Sequence, residues 1–173
     1  MSKKIGIISD THSKIGRAIK GIDLLIKEGA ELIVHAGDIV KIEILEYLKT
    51  LNIPYIAVYG NNDKKLTQHH NNFNLVSEPN YFNFKDLSFK LMHHPLYLSP
   101  DADVIISGHT HDYKVEMING TLFVNPGEVC ARDYPLSSVV LLEYTKKEFI
   151  ITRHTRMIKN NNWLKEKKTY KRQ

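Results

Sequence analysis

Seven side chains of the kinds that bind metal ions are spread through the first two thirds of the sequence. They comprise two carboxylates, one amide and four imidazoles: Asp10, His12, Asp38, Asn61, His93, His109 and His111. The set contains no thiolate, which argues against a structural zinc site or an iron–sulfur cluster. Mixed nitrogen and oxygen ligands suit manganese, iron, nickel, cobalt or zinc in a catalytic site. Seven groups are too many for one ion and suit two.

Two divalent ions would make a particular chemistry available. Ions about 3.5–4 Å apart can hold the attacking and the leaving oxygen of an in-line displacement at phosphorus. They also lower the pKa of a bound water and so supply a hydroxide nucleophile near neutral pH. The seven residues therefore predict hydrolysis of a phosphoester by a hydroxide that bridges two metal ions.

Predicted strands must position these side chains. Each motif follows an apolar run, at residues 5–9, 32–35, 53–59, 87–92 and 103–107. In open α/β sheets, ligands bind beyond the carboxyl ends of the strands. A single such motif is more typical of a turn or a helix cap, but five in order predict one metal site. The motifs are Asp10-Thr11-His12, Gly37-Asp38, Gly60-Asn61-Asn62-Asp63, His93-His94 and Gly108-His109-Thr110-His111.

The hydrophobic pattern predicts an α/β fold with an α+β-like second half. Amphipathic helices are predicted over about 15–29 and 42–51, between the first three strands, which implies parallel strands with crossover helices. After residue 70 the pattern is mostly that of strands. It includes two hairpins, at residues 81–92 and 115–124, and the second contains the strong turn signal Asn119-Gly120.

We expect one domain over residues 1–155, with two further strands at 137–144 and 148–155. Residues 156–173 would form a basic C-terminal tail of the same domain. Only three side chains of this tail are suited to burial, so the sequence leaves open whether it is a docked helix or a frayed end.

The ordered motifs resemble those of the calcineurin-like metallophosphoesterases. Together with Asn125-Pro126-Gly127 and the short chain, they resemble the small bacterial and archaeal phosphodiesterase branch of that family. The resemblance spans residues 5 to about 155. It implies a four-layer αββα sandwich of two mixed sheets, with a dinuclear metal site at the carboxyl ends of strands.

The resemblance also implies a role for each ligand. Asp10, His12 and His111 would hold the first ion, and Asp38 would bridge the two ions. The second ion would be held by Asn61, His93 and His109. Mn²⁺ is the expected metal, with Ni²⁺, Fe²⁺, Co²⁺ and Zn²⁺ as alternatives, and the expected substrate is a small phosphoester.

Three residues depart from the family pattern. Asn62 stands where many members have a catalytic histidine, so weaker assistance to a poor leaving group is expected. His94 follows His93 where glycine is usual, and it is either a replacement general acid or a histidine packed at the rim. Glu128 stands where serine is common and is expected to repel an anionic substrate slightly. We therefore expect Asp38, Asn61, Asn62 and His94 to form the catalytic group.

Several other reactive side chains are discounted. His35 lies in an apolar run and is expected to be a core histidine or a partner of a ligand, and His69 and His70 are expected to be solvated. Cys130 lacks a basic neighbour that would make it a nucleophile. As the single cysteine, it excludes an internal disulfide and suits a reducing cytoplasm. Arg132 remains open as a substrate contact.

The charge of the chain leaves two other functions open. The 24 basic and 19 acidic residues give a formal net charge of +5. Residues 156–173 carry a net charge of +6, so the preceding residues are almost neutral. The tail could therefore bind nucleic acid, and the domain could be a non-catalytic scaffold. No apolar run is long enough to span a membrane. The physiological substrate, the native metal and the oligomeric state, whether monomer, homodimer or higher homo-oligomer, are not predicted.

Overall fold

The computed structural model describes residues 2–172. Helix α1 spans Ile15–Lys27, helix α2 spans Ile42–Thr50, and a 3₁₀ helix covers Lys64–Asn72. Within residues 2–172, no helix is long and apolar enough to cross a membrane. The strands are β1 Lys3–Ile8, β2 Leu32–His35, β3 Tyr55–Val58, β4 Leu75–Val76, β5 Asn80–Phe84, β6 Leu87–Leu91, β7 Val104–Ile106, β8 Tyr113–Ile118, β9 Thr121–Pro126, β10 Leu136–Tyr144, β11 Glu148–Met157 and β12 Leu164–Lys171.

The strands form two mixed sheets. The first has seven strands in the order β12-β11-β10-β1-β2-β3-β4, with parallel pairing from β1 to β4 and antiparallel pairing from β12 to β1. The second has five strands in the order β5-β6-β7-β9-β8, with β6, β7 and β9 parallel. The carboxyl ends of β1, β2, β3, β6 and β7 therefore carry the five predicted motifs.

Apolar side chains fill two main cores. One lies between the sheets, where Ile7 and Val34 of the first sheet share a cluster with Phe89 and Ile106 of the second. The other lies on the opposite face of the first sheet, under the apolar stripes of α1 and α2. Because α1 repeats apolar residues at spacings of three and four, one face of the helix is buried against the sheet.

The predicted fold class is confirmed as α/β with two mixed sheets, but the outermost layer differs. Among residues 2–172 the helices pack on the first sheet, and residues 92–103 cover part of the outer face of the second sheet as an irregular loop around Met92 and Ile105. Buried Lys90 holds this loop, because its Nζ donates to the carbonyls of Tyr97 (2.9 Å) and Ser99 (3.0 Å). Pro95 and Pro100 lack an N–H donor, which disfavours a regular helix in this segment.

The basic tail is neither a docked helix nor a frayed end. Strand β12 pairs with β11 along its whole length, from Glu148 opposite Lys171 to Thr155 opposite Leu164. Tyr170 packs against the core between the sheets and donates its hydroxyl to the Val115 carbonyl at 3.1 Å. Lysines are common on edge strands because their charge discourages pairing with another chain, so the tail's composition has a structural explanation.

Deleting residues 156–173 should therefore destabilise the domain. The deletion exposes β11 as a new edge and removes the partly buried aromatic rings of Trp163 and Tyr170, a loss of about 3 kcal/mol. Chemical denaturation followed by circular dichroism measures the change. As the control, Lys167→Gln with Lys171→Gln keeps β12 and should change the free energy of unfolding by less than about 0.5 kcal/mol. Equal stability of the truncated and full chains would contradict the packing of β12.

Candidate metal centre

The structure brings the seven predicted ligands to one edge of the two sheets. Asp10 and His12 lie between β1 and α1, and Asp38 follows β2. His12 Nε2 lies 3.6 Å from Asp38 Oδ2, and His93 Nε2 lies 3.5 Å from Asp38 Oδ1. The two oxygens of Asp38 therefore face histidines from different sheets, as a carboxylate between two ions would.

The remaining contacts divide the ligands into two neighbouring sets. Potential ligand atoms of Asp10, His12 and His111 lie within 4.8 Å of one another. On the other side, Asn61 Oδ1 lies 3.0 Å from His93 Nε2 and 3.2 Å from His109 Nδ1. These are the two sets that the family resemblance implies. Asp10, Asp38 and His93 form a further group between them.

The backbone of the site adopts conformations that are uncommon for residues with side chains. Five of the seven ligands have a positive φ: Asp10 (52°), His12 (44°), Asp38 (56°), His109 (68°) and His111 (63°). Asp and His tolerate this region better than most residues, but each instance still costs on the order of 1–3 kcal/mol. Such strain concentrates at functional sites, where the surrounding structure maintains it.

Two glycines allow the loops to approach one another closely. A Cβ at Gly60 would lie 2.2 Å from the backbone nitrogen of Asp38, and a Cβ at Gly108 would lie 2.1 Å from Ser9 Oγ. Neither contact is compatible with a side chain. The glycines that precede the ligand motifs are therefore required for close packing of the strand ends.

The chemistry of the donor set fits divalent cations. Asp10 and Asp38 are almost completely buried, and within residues 2–172 neither Asp10 Oδ1 nor His12 Nε2 has a hydrogen-bond partner. Burial lowers the pKa of His12 and of His109, which favours neutral imidazoles with a free lone pair. Burial opposes ionisation of Asp10, but the His111 imidazole, 3.3 Å from Oδ1, and the hydrogen bond from Ser9 outweigh it and lower the pKa of Asp10. The same carboxylate raises the pKa of His111. Buried carboxylates with this little compensation are the environment that a cation stabilises.

Hydrogen bonds outside the ligand set orient these groups. Asn62 donates to both oxygens of Asp38, from its backbone N–H (2.9 Å) and its side-chain amide (2.7 Å). His93 Nδ1 lies 2.8 Å from the Ala36 carbonyl, so its Nε2 faces Asn61. His35 is fully buried, and its Nδ1 accepts a hydrogen bond from the Gly37 N–H, as expected of a core histidine. Burial lowers the pKa of His35 to about 3.

Other discounted side chains take no part in the site. His70 is exposed on the 3₁₀ helix and contacts the hydroxyl of Tyr59. Burial raises the pKa of Cys130 to about 12, which removes its thiolate and any role as a nucleophile.

Arg132, whose role the sequence left open, reaches the site. Its Nη2 lies 3.2 Å from His111 Nε2.

Glu128 has a role that the sequence did not predict, while its expected slight repulsion of an anionic substrate stays a prediction. Its side chain is buried, with Oε2 at 2.6 Å from His111 Nδ1. Its Oε1 accepts the backbone N–H groups of Asp133 (2.7 Å) and Tyr134 (2.8 Å). A carboxylate beside this ring nitrogen favours a proton on Nδ1 and leaves Nε2 for a metal. Gly127 precedes it with a φ of 77°, but a glycine turn does not indicate which side chain the next residue contacts.

Glu78 is a second carboxylate that the sequence did not reveal. Its Oε2 accepts the backbone N–H groups of His93 (2.7 Å) and His94 (2.8 Å), and its Oε1 lies 2.5 Å from His94 Nδ1. The His94 ring consequently sits against the site, 4.5 Å from the His109 ring between centroids. One ring nitrogen of His94 lies within 4.8 Å of potential ligand atoms of His93 and His109. No motif links Glu78 to this position.

Replacing Glu128 by glutamine should weaken Mn²⁺ binding about 10- to 100-fold. The amide can donate to His111 Nδ1 and so moves the ring proton to Nε2, the nitrogen that faces Asp10. Isothermal titration calorimetry with Mn²⁺ measures the loss. Cys130→Ser is the matched control, because Cys130 contacts the same Oε2 oxygen at 3.0 Å but leaves the carboxylate in place. Unchanged affinity in Glu128→Gln would show that the carboxylate does not hold the ligand.

Comparison with known proteins identifies the family. Residues 4–147 match the calcineurin-like phosphoesterase superfamily domain. A phosphodiesterase of Methanocaldococcus jannaschii is 33% identical over 159 residues, covering 84% of this chain and 96% of the relative. The structure of an archaeal phosphodiesterase is 27% identical with a TM-score of 0.69 and covers 95% of this chain and 99% of its own. Vacuolar Protein Sorting 29 of Cryptosporidium parvum, 18% identical with a TM-score of 0.79 and 99% coverage of each chain, shares the fold. The chain belongs to the calcineurin-like phosphoesterase superfamily.

Proposed function

We propose that the protein is a dinuclear metal-dependent phosphodiesterase that hydrolyses small phosphodiesters. The observation that carries this proposal is the position of Asp38 between two complete ligand sets, with one carboxylate oxygen toward His12 and the other toward His93. The phosphodiesterase relative of M. jannaschii, which matches most of both chains, supports the choice of diesters. Membership of the superfamily implies divalent metal ions, and Mn²⁺ suits the mixed carboxylate, amide and imidazole donors.

Each set would hold one ion. Asp10, His12 and His111 are placed to bind the first, Asn61, His93 and His109 the second, and Asp38 both. When bound, such ions lower the pKa of a coordinated water and offset negative charge on phosphoryl oxygens. The protein's own contribution is to orient Asp38 through Asn62 and to exclude water from the buried carboxylates.

His94 is the proposed contact to the leaving group. Glu78 fixes its Nδ1, and the ring stands partly exposed at the edge of the site beside His93 and His109. Asn62, which occupies the usual position of the catalytic histidine, is engaged with Asp38 and has no titratable group. His94 therefore takes the place of the usual catalytic histidine in assisting the leaving oxygen.

The single cysteine agrees with a reducing compartment, and we propose the cytoplasm. Cys130 is buried and free, and its high pKa makes it unreactive. The non-catalytic scaffold remains the alternative, and the likeness to the vacuolar sorting protein concerns the fold alone. All seven ligand positions are occupied by residues that can bind metal, which favours the enzyme.

Hydrolysis of bis(p-nitrophenyl) phosphate in the presence of Mn²⁺ tests the proposal. Asp38→Asn and His109→Ala should each lower kcat/KM about 1,000-fold, because each loses a ligand that holds the charge-stabilising ions. His70→Ala is the control, since His70 is exposed on the 3₁₀ helix away from the ligands. Full activity of Asp38→Asn, or activity that needs no divalent metal, would refute the dinuclear mechanism.

The leaving-group preference follows from Asn62 and His94. Aryl phosphodiesters should turn over faster than alkyl phosphodiesters at matched concentration, because good leaving groups need little assistance. His94→Ala should lower kcat on alkyl esters at least about tenfold more than kcat on aryl esters. Equal rates on the two ester classes would count against the first expectation, and an equal loss on both would count against a leaving-group role for His94.

A further inference from the structure

A cavity of about 470 Å³ opens beside the first ligand set. Its walls are the loop between β1 and α1, the first turn of α1, and residues 130–132. His12 lines it, so the cavity is continuous with the candidate metal centre. The side chains that define its chemistry are Lys14, Arg17 and Arg132.

The wall of this cavity has an unusual charge. Three of its seven lining residues are cationic and none is acidic, although residues 1–155 as a whole are almost neutral. The first turn of α1 adds no acidic residue. The nearest carboxylate contact is a weak one, since Asp133 Oδ1 lies 3.4 Å from Arg132 Nε and Asp133 is about half exposed.

Two of these cations lie against the metal centre. The Arg17 guanidinium donates to the carbonyl of Cys130, whose backbone N–H donates to the carbonyl of Asp10 at 3.0 Å. Arg132 Nη2 lies 3.2 Å from His111 Nε2. Arg17 is therefore fixed beside the Asp10 loop, and Arg132 borders the nitrogen that the first ion would take.

The charge at the scissile phosphate does not account for this wall. Two divalent ions would outweigh the Asp10 and Asp38 carboxylates by two charges, of which the hydroxide nucleophile offsets one and a phosphodiester offsets the other. The metal centre alone therefore balances the scissile group. Three additional cations in a contiguous cavity suit a second anionic group on the same substrate, for which arginine supplies paired donors.

We propose that the cavity lined by Lys14, Arg17 and Arg132 is a subsite for a second phosphate, so that the preferred substrates are phosphodiesters that carry an additional phosphate. The inference rests on the proposed phosphodiesterase function. It extends that function from small diesters in general to a substrate class with two phosphate groups.

The test compares two substrates that release the same p-nitrophenol. Thymidine 5′-(p-nitrophenyl phosphate) and its 3′-phosphorylated form differ only in the second phosphate. With Mn²⁺ at low ionic strength, the 3′-phosphate should raise kcat/KM about tenfold, as expected for one charge-assisted contact. Lys14→Gln combined with Arg17→Gln should reduce this ratio to within about twofold of unity, and Lys14→Gln alone should lower it partly. A ratio of one or less in the unsubstituted chain would overturn the proposal.

Lys20→Gln is the matched control, because Lys20 is an exposed lysine of α1 that lines a different groove. It should keep the full preference, and an equal loss in this variant would show that general charge, and not the cavity, selects the substrate. If neither ester is hydrolysed, the proposed phosphodiesterase function fails. Calorimetry with thymidine 3′,5′-bisphosphate then still tests whether the cavity binds a second phosphate. Affinity that is about fivefold or more weaker in the Lys14→Gln, Arg17→Gln variant supports the subsite, and equal affinity refutes it.

Discussion

The burial of two carboxylates at the ends of neighbouring parallel strands is the constraint on which the rest of the site depends. Asp10 follows β1 and Asp38 follows β2, and both are removed from water. A buried carboxylate is unfavourable unless hydrogen bonds or cations compensate it. Ser9 Oγ and the His109 N–H donate to Asp10, and Asn62 donates twice to Asp38. The loops that supply these donors come from both sheets, so compensation of the two charges also joins the sheets.

This requirement explains why the site combines strain with close packing. Loops that turn toward Asp10 and Asp38 from five strand ends must reverse within one or two residues. The ligands accept left-handed backbone conformations, and Gly60 and Gly108 remove the side chains that would collide. Two large cores, between the sheets and under the helices, supply the stability that maintains these local conformations.

The grouping of the seven candidate ligands could be predicted from sequence because their positions depend on local features. Asp38 and His109 each follow an apolar strand and a glycine, and parallel strands bring such ends together. Glu78 and Glu128 could not be predicted in the same way. Glu78 meets His93 across 15 residues of intervening hairpin, and Glu128 meets His111 only after β8 and β9 have reversed the chain. Such contacts depend on the full topology of the fold and produce no periodic pattern in the sequence.

Strand β12 could not be predicted from the sequence for a different reason. Its sequence is almost entirely polar, because its side chains are largely exposed and only Tyr170 reaches the main core. The alternation of apolar and polar residues that indicates a half-buried strand is therefore missing from its sequence. The loop over the outer face of the second sheet also could not be predicted from the sequence. Its conformation depends on one buried lysine, Lys90, and the carbonyls that it binds.

The pairing of β1 with β10 has a consequence for the order of folding. Ile5 lies opposite Leu142 at the centre of the first sheet, and the backbone N–H of Cys130 donates to the carbonyl of Asp10. The amino-terminal ligands therefore cannot reach their final geometry until most of the chain has left the ribosome. Contacts of such large sequence separation slow folding, because loop closure must precede them. The geometry around Asp10 and His12 therefore depends on β10 and on the segment around Cys130, more than a hundred residues later in the chain.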